Sequence, residues 1–272
     1  MDYKFNIYGD LIVKKIGIVF CLCLLLTGCV YSEPKIAGFV HKTYSSMEYD
    51  GNKFELTGQE KNIQVGGKLR VYIDGNATTG GLFRKKAVLK NPVAAQLAQK
   101  DKSPSILYLN RPCYFYSHEY CSPQVWEEGR YAQELVDEMV GVLMTVIKKH
   151  HIKEIDFVGY DGGAAMALLV ANRLVSKRVN VSKVITVAGI LDTEQYALLT
   201  DEKFHENNAN PAKEAFLVSQ IPQVHMVGKL DKVVPATLVQ VFKKKLLNPV
   251  SYEVHVYPSA DHYNWAQFKM NY

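Results

Sequence analysis

Three short stretches carry the residues whose types could do chemistry. Val158-Gly159-Tyr160-Asp161-Gly162-Gly163-Ala164 sets a carboxylate between a short apolar run and an Ala/Leu-rich stretch. Asp231 follows Val224-His225-Met226-Val227, and His262 follows Tyr252-Glu253-Val254-His255-Val256. A strand that runs into a helix through flanking glycines makes a sharp, strained turn, which lifts its central side chain above the sheet toward substrate. Asp161 holds that tip. A nucleophile, then an acid, then a histidine, each just past the carboxyl end of a strand, suits nucleophilic catalysis. The histidine moves the proton and the acid orients it. The glycine-flanked aspartate alone is a weak signal, and the two downstream placements give it weight.

The elements that must position these residues are legible from periodicity. Leu69–Ile73 reads as a strand that stops at the turn Asp74-Gly75-Asn76, and Asn91-Pro92 opens a short helix through Ala94, Ala95, Leu97 and Ala98. Ile106–Leu109, Ile155–Gly159, Val184–Ala188, Val224–Val227 and Tyr252–Val256 read as further strands. Helices are predicted over Gln124–His150, with Leu135, Met139, Leu143 and Val146 on one face, and over Gly163–Val175. Strands alternating with helices predict an α/β protein with a doubly wound, mostly parallel sheet. Residues 29–67 are expected to form an N-terminal segment with an antiparallel hairpin around Lys53-Phe54-Glu55-Leu56, leading into one core domain over 68–272. No phosphate loop, zinc spacing or dinucleotide fingerprint occurs, so neither cofactor nor metal is expected.

With these stretches in hand, the chain resembles a bacterial lipoprotein branch of the α/β-hydrolase superfamily. The match runs through Leu69–Asn76, Leu107–Cys113, Gly159–Ala164, Thr186–Asp192, the Asp231 motif and Asp261-His262. The resemblance implies a catalytic triad of Asp161, Asp231 and His262, with His262 as general base. It also implies an oxyanion hole built from the backbone amide of Gly75 or Asn76 together with that of Gly162. The chain departs from the family at the tip, where relatives carry serine, and beyond Asp74-Gly75, where Asn76-Ala77 replace an acidic residue and glycine.

An aspartate changes the chemistry. A carboxylate attacking an ester would form a mixed anhydride, more reactive than the substrate. At saturated carbon, as in dehalogenases and epoxide hydrolases, it forms an alkyl ester that histidine-activated water can cleave. Gly162 stands where dehalogenases carry a tryptophan, and the stretch between Gly189 and Pro222 is short and polar for a cap. Three readings follow: hydrolysis of a small ester-like or other substrate with Asp161 as nucleophile or water-positioning base; a catalytically inactive homologue that binds a ligand or partner in the cell envelope; and hydrolysis through another group, with Ser219 and Ser259 the nearest candidates. Elsewhere blander roles are expected. Asp192 caps a helix or lines the site, and Arg111 fixes its loop or meets substrate. His225 and His255 serve the core or surface, and His150-His151 end a helix.

The 272 residues, with 48% hydrophobic content and a net charge of +5, are ordinary for a globular domain. The basic runs Arg84-Lys85-Lys86 and Lys243-Lys244-Lys245 read as solvated faces, so no nucleic-acid partner is expected. Residues 1–28 differ in kind. Lys14-Lys15 precede the apolar run Ile16–Leu26, which ends in Leu26-Thr27-Gly28-Cys29. The run is too short to span a bilayer but suits a secretory signal, and its end resembles a lipobox. The translation start could also lie nearer Val13. Lipid on Cys29 would anchor the protein to a membrane, and Val30 after it resembles sorting to the outer membrane, facing periplasm or exterior. A plain signal peptide with an incidental cysteine is the alternative. Cys21 and Cys23 leave with the signal. Cys113 and Cys121 then remain in an oxidising compartment, where a disulfide is expected over two free thiols.

Overall fold

The computed structural model describes residues 43–80, 86–115, 119–202 and 205–270. The signal segment, Cys29 and Arg84-Lys85 lie outside them. The strands are β1 (Ser45–Asp50), β2 (Glu55–Lys61), β3 (Lys68–Ile73), β4 (Thr78–Gly80), β5 (Lys86–Val88), β6 (Ile106–Leu109), β7 (Glu154–Tyr160), β8 (Val181–Val187), β9 (Gln223–Gly228) and β10 (Tyr252–Tyr257). Eight of them form one sheet in the order β1-β2-β6-β3-β7-β8-β9-β10. From β6 to β10 every pairing is parallel. The first two strands form an antiparallel hairpin whose second strand pairs antiparallel with β6. This is the doubly wound, mostly parallel sheet that the alternation of elements predicts.

The inner strands are largely apolar on both faces because both are covered. Leu69, Val71, Ile73, Leu107, Leu109, Ile155, Phe157 and Val184 pack into one core layer, while Tyr72, Ile106, Tyr108, Val158, Tyr160, Ile185 and Val187 pack into the other. The period-2 alternation divides each strand between the layers. Helices α2 (Gln133–His150) and α3 (Gly162–Ser176) and the short α5 (Ala215–Val218) and α6 (Thr237–Lys245) cover the first face. The second is covered by α1 (Val93–Lys100) and the 3-10 turn Asn264–Gln267, through Val93, Leu97 and Trp265. The remaining helix, α4 (Thr193–Thr200), is capped by Asp192, whose carboxylate accepts the Gln195 N–H at 3.1 Å.

One predicted element divides. The stretch Gln124–His150, which its pattern predicts as a single helix, forms a π-turn over Gln124–Glu128, stops at Gly129 and restarts as α2. Tertiary anchors outweigh the helical pattern here. Trp126 is buried and its Nε1–H donates to Thr79 Oγ1 at 3.1 Å, while Glu127 accepts the Thr79 N–H at 2.8 Å. The break turns Arg130 and Tyr131 toward the loops beyond the strand ends. In the neighbouring loop Cys113 and Cys121 are joined by a disulfide.

Candidate active site

The strand–helix turn from β7 into α3 presents Asp161 at φ 51 and ψ −123, a conformation that side chains other than glycine rarely adopt. Its flanks have no room for side chains. A Cβ on Gly159 would stand 2.5 Å from the Gly163 carbonyl oxygen, and one on Gly163 would strike the carbonyl oxygens of Ile73 and Asp74. The spacing of glycines in the sequence thus reflects the approach of α3 to the end of β3.

His262 and Asp231 converge on this tip. The His262 Nδ1 lies 2.9 Å from Asp231 Oδ2, which fixes Nδ1 as the protonated, donating nitrogen. The other Asp231 oxygen accepts the N–H groups of Val233 and Val234, each at 2.8 Å, so the carboxylate is held at both ends. His262 Nε2 faces Asp161 Oδ1 at 3.8 Å, too far for a hydrogen bond. Burial works against the imidazolium. The hydrogen bond to Asp231 and the charges of Asp161, Asp231 and Asp261 outweigh it and raise the His262 pKa above its ordinary value. Tyr160, beside the tip, donates its hydroxyl to the His262 carbonyl at 2.9 Å and so ties the histidine loop to the turn.

The second Asp161 oxygen has a different partner. Oδ2 accepts the Asn76 backbone N–H at 2.8 Å. Of the two amides considered for the oxyanion hole, that of Asn76 therefore meets the tip, whereas the Gly75 N–H turns to Asp74 Oδ1 at 3.4 Å. Gly75 serves by its lack of a side chain, since a Cβ there would lie 2.6 Å from Asp161 Oδ2. Gly162, the third residue considered, opens α3, and its N–H is one of the orphan donors of a helix start. The Asn76 side-chain oxygen lies against Gly162, where a Cβ would meet it, and is held by Arg111 Nη1 and the Tyr131 hydroxyl, each at 3.0 Å. Arg111 thus braces the loop that carries Asn76.

Several of these supports are not apparent in the sequence. Asp74, which there looks like a turn former only, is buried and accepts the N–H groups of Ala94 and Ala95 at 3.0 and 3.1 Å and the Tyr108 hydroxyl at 3.0 Å. It caps α1 and locks the loop that carries Asn76, and burial pushes its pKa up to about 6. An aspartate directly after a strand and ahead of Asn-Pro is the signal that could have found it. A cleft of about 350 Å³ opens above Asp161 and His262, lined by Glu127 and Arg130 from the broken helix and by Tyr196 and Glu202 from the stretch after β8. That stretch is polar for sealing an apolar pocket, and its Glu202 pairs with Arg130 at 3.4 Å. Ser219 is buried and bonded to the Ala215 carbonyl, away from the cleft. His225 is buried too and held neutral by that burial, its pKa pushed down to about 3.

No family model and no curated protein matches the chain. Solved structures do. An α/β serine hydrolase homologue from Coxiella burnetii superposes with a TM-score of 0.56 at 18% identity, over 85% of this chain and 94% of that one. An esterase from Pyrococcus furiosus gives 0.56 at 15% identity, over 86% and 87%. An acylaminoacyl peptidase from Pyrococcus horikoshii gives 0.60 at 16% identity, over 81% of this chain but 38% of its own. At such identities the likeness is one of architecture. Its strand order, its strand–helix turn and these superpositions together give this chain the α/β-hydrolase fold.

Proposed function

We propose that this protein is a hydrolase that works through Asp161, Asp231 and His262, with Asp161 attacking saturated carbon rather than a carbonyl. One observation carries the reading: Asp161 Oδ2 rests on the Asn76 amide while Oδ1 faces His262 Nε2. In a serine enzyme that amide would receive the substrate's oxygen. Here the aspartate's own oxygen fills it, so the hole serves an ester formed on the enzyme. Oδ1 displaces a leaving group from carbon, which departs with its electron pair, and an alkyl ester of Asp161 remains. Water gives a proton to His262 Nε2 and adds at Cγ. The charge that develops on Oδ2 is met by Asn76 N–H. The Cγ–Oδ1 bond then breaks, the leaving oxygen takes the proton back from His262 Nε2 and departs as the alcohol, and the Asp161 carboxyl gives its remaining water proton to solvent. Neither metal nor cofactor enters. That structures with this architecture include an esterase and a peptidase supports hydrolysis in general.

A second reading, an inactive homologue that binds a ligand or partner in the cell envelope, draws support from the Asn76 side chain crowding Gly162. A panel of esters, epoxides and haloalkanes, assayed with the chain from Val30 onward, separates the two. The first reading expects turnover of an epoxide or haloalkane. A single turnover in heavy-oxygen water is then expected to leave the label in Asp161, found by peptide mass spectrometry, and not in the alcohol. Label appearing directly in the product would make Asp161 a base. An inert panel, with ligand affinity unchanged in His262→Ala, would favour the binding protein. The Leu26–Cys29 motif supports an envelope location, with the chain held to a membrane by lipid on Cys29.

A further inference from the structure

The parallel strands all begin at one end of the molecule, opposite the end that carries Asp161 and His262. That end is formed by the loops 62–67, 101–105, 151–153, 177–180, 219–222 and 246–251 and by the last turns of α2, α3 and α6. Lys102, Lys148, Lys149, Lys153, Lys177, Arg178 and Lys244 are exposed on it, and among the described residues none of the seven has a carboxylate partner. Of the carboxylates nearby, Asp101, Asp156 and Glu154 are paired with cations, while Glu60 and Glu253 keep their charge against the seven. Arg70 holds Asp101 and Asp156, Lys68 holds Glu154, Tyr49 bonds Glu60, and His255 meets Glu253. Between the cations stand aliphatic side chains open to solvent: Val65 at 71%, Val175 at 38%, Leu247 at 57% and Val250 at 62% exposure. The opposite end carries Glu127, Glu194, Asp201, Glu202, Glu206 and Asp261 beside Lys90, Lys213, Lys229 and Lys232, so its charge is mixed.

Helix dipoles favour lysines in a last turn, which accounts for Lys148, Lys149 and Lys244. They do not account for Lys102 and Lys153 in loops, nor for four exposed aliphatic residues among cations. We propose that this face docks on an anionic phospholipid surface, with the lysines among the headgroups and the four aliphatic side chains at the acyl boundary. Phosphate oxygens alone would satisfy the charges, as on a nucleic acid, but would leave the aliphatic groups against a polar backbone. A bilayer interface takes both. Docked this way, the mouth of the cleft points away from the membrane. The inference stands apart from the chemistry of Asp161 and from lipid on Cys29.

The test uses the chain from Val30 onward, which retains every strand and helix described above and lacks both Cys29 and the apolar run Ile16–Leu26. Co-sedimentation is expected with vesicles of phosphatidylcholine and phosphatidylglycerol, not with phosphatidylcholine alone. Binding should vanish at about 1 M salt, where the Debye length is about 3 Å. The combined change Lys149→Glu, Lys177→Glu and Lys244→Glu should weaken it at least about tenfold, since one cation near such a surface contributes roughly fivefold. Lys90→Glu, Lys229→Glu and Lys232→Glu, a charge-matched set on the far end, should retain it. Leu247→Ser with Val250→Ser should weaken it several-fold. Circular dichroism melts confirm that each variant is folded. Equal loss in the two charge-reversed sets, or equal binding to neutral vesicles, would overturn the proposal. So would duplex DNA bound through the same lysines with no effect of the Leu247 and Val250 changes.

Discussion

At the scale of single residues, the site turns on which atom each carboxylate oxygen meets. Asp231 accepts from His262 Nδ1, leaving Nε2 as the basic nitrogen. In Asp231→Asn the amide would donate to Nδ1 instead, move the proton to Nε2 and remove the base. Hydrolysis should fall by about two to four orders of magnitude. The same change removes a bond and a charge that raise the His262 pKa, so its midpoint, followed by proton NMR without any substrate, should move to lower pH. An unmoved midpoint would mean that Asp231 does not set it. The sign for activity follows: if hydrolysis needs neutral His262, the wild-type rate should fall as pH drops through a midpoint raised above the ordinary histidine value. Asp161→Ser frees the Asn76 amide that the carboxylate now fills. The variant should gain measurable turnover of short activated esters while losing any native reaction at saturated carbon. If it stays inert though folded, the Asn76 side chain beside Gly162 is the obstacle, and adding Asn76→Gly should restore the gain.

At the scale of elements, the loop that carries Asn76 is held from below by the start of α1. Asp74 caps that helix while buried, and its folded pKa of about 6 lies above the ordinary aspartate value of 3.8. A carboxyl raised in this way contributes stability that is present below pH 4 and is lost as pH rises through 6. The shift corresponds to about 3 kcal/mol. Urea unfolding of the wild type and of Asp74→Asn across pH 4–7 should show their stability difference changing by about that amount. The wild type should gain on the variant toward the acid end. A difference flat with pH would show that Asp74 titrates alike in both states. The break before α2 is the other element that matters. Without the stop at Gly129, Arg130 and Tyr131 would continue a helix and could not reach the cleft and Asn76.

At the scale of the molecule, charge is unevenly placed along the strands. Where the strands begin, exposed cations outnumber carboxylates, in part because crossover helices run back with their carboxyl ends beside the next strand's start. The cleft above Asp161 and the face rich in unpaired cations therefore lie at opposite ends of the strands, which suits the proposed docking. The tether itself is proposed from Leu26-Thr27-Gly28-Cys29, outside the described residues. Replacing Cys29 by serine should move the protein from the membrane to the soluble fraction after a salt wash that also breaks headgroup contacts. Retention through that wash would refute lipid attachment there.

The mostly parallel sheet, and the chain order of Asp161, Asp231 and His262 just past strand ends, were legible in the residues alone, since both are written locally. Strand alternation, the Gly159–Gly163 turn and the residues just past β9 and β10 depend on neighbours a few positions away. The sequence could not say which of two adjacent amides meets Asp161, because Gly75 and Asn76 differ only in how Asp74 turns the loop, and Asp74 is positioned by α1 and Tyr108. Nor could it divide the helix over Gln124–His150, whose pattern is continuous. Thr79, far off in sequence, draws Trp126 and Glu127 out of it. Only the folding of distant segments together brings the aspartate's own oxygen onto the Asn76 amide, for that contact joins residues 85 apart in the chain.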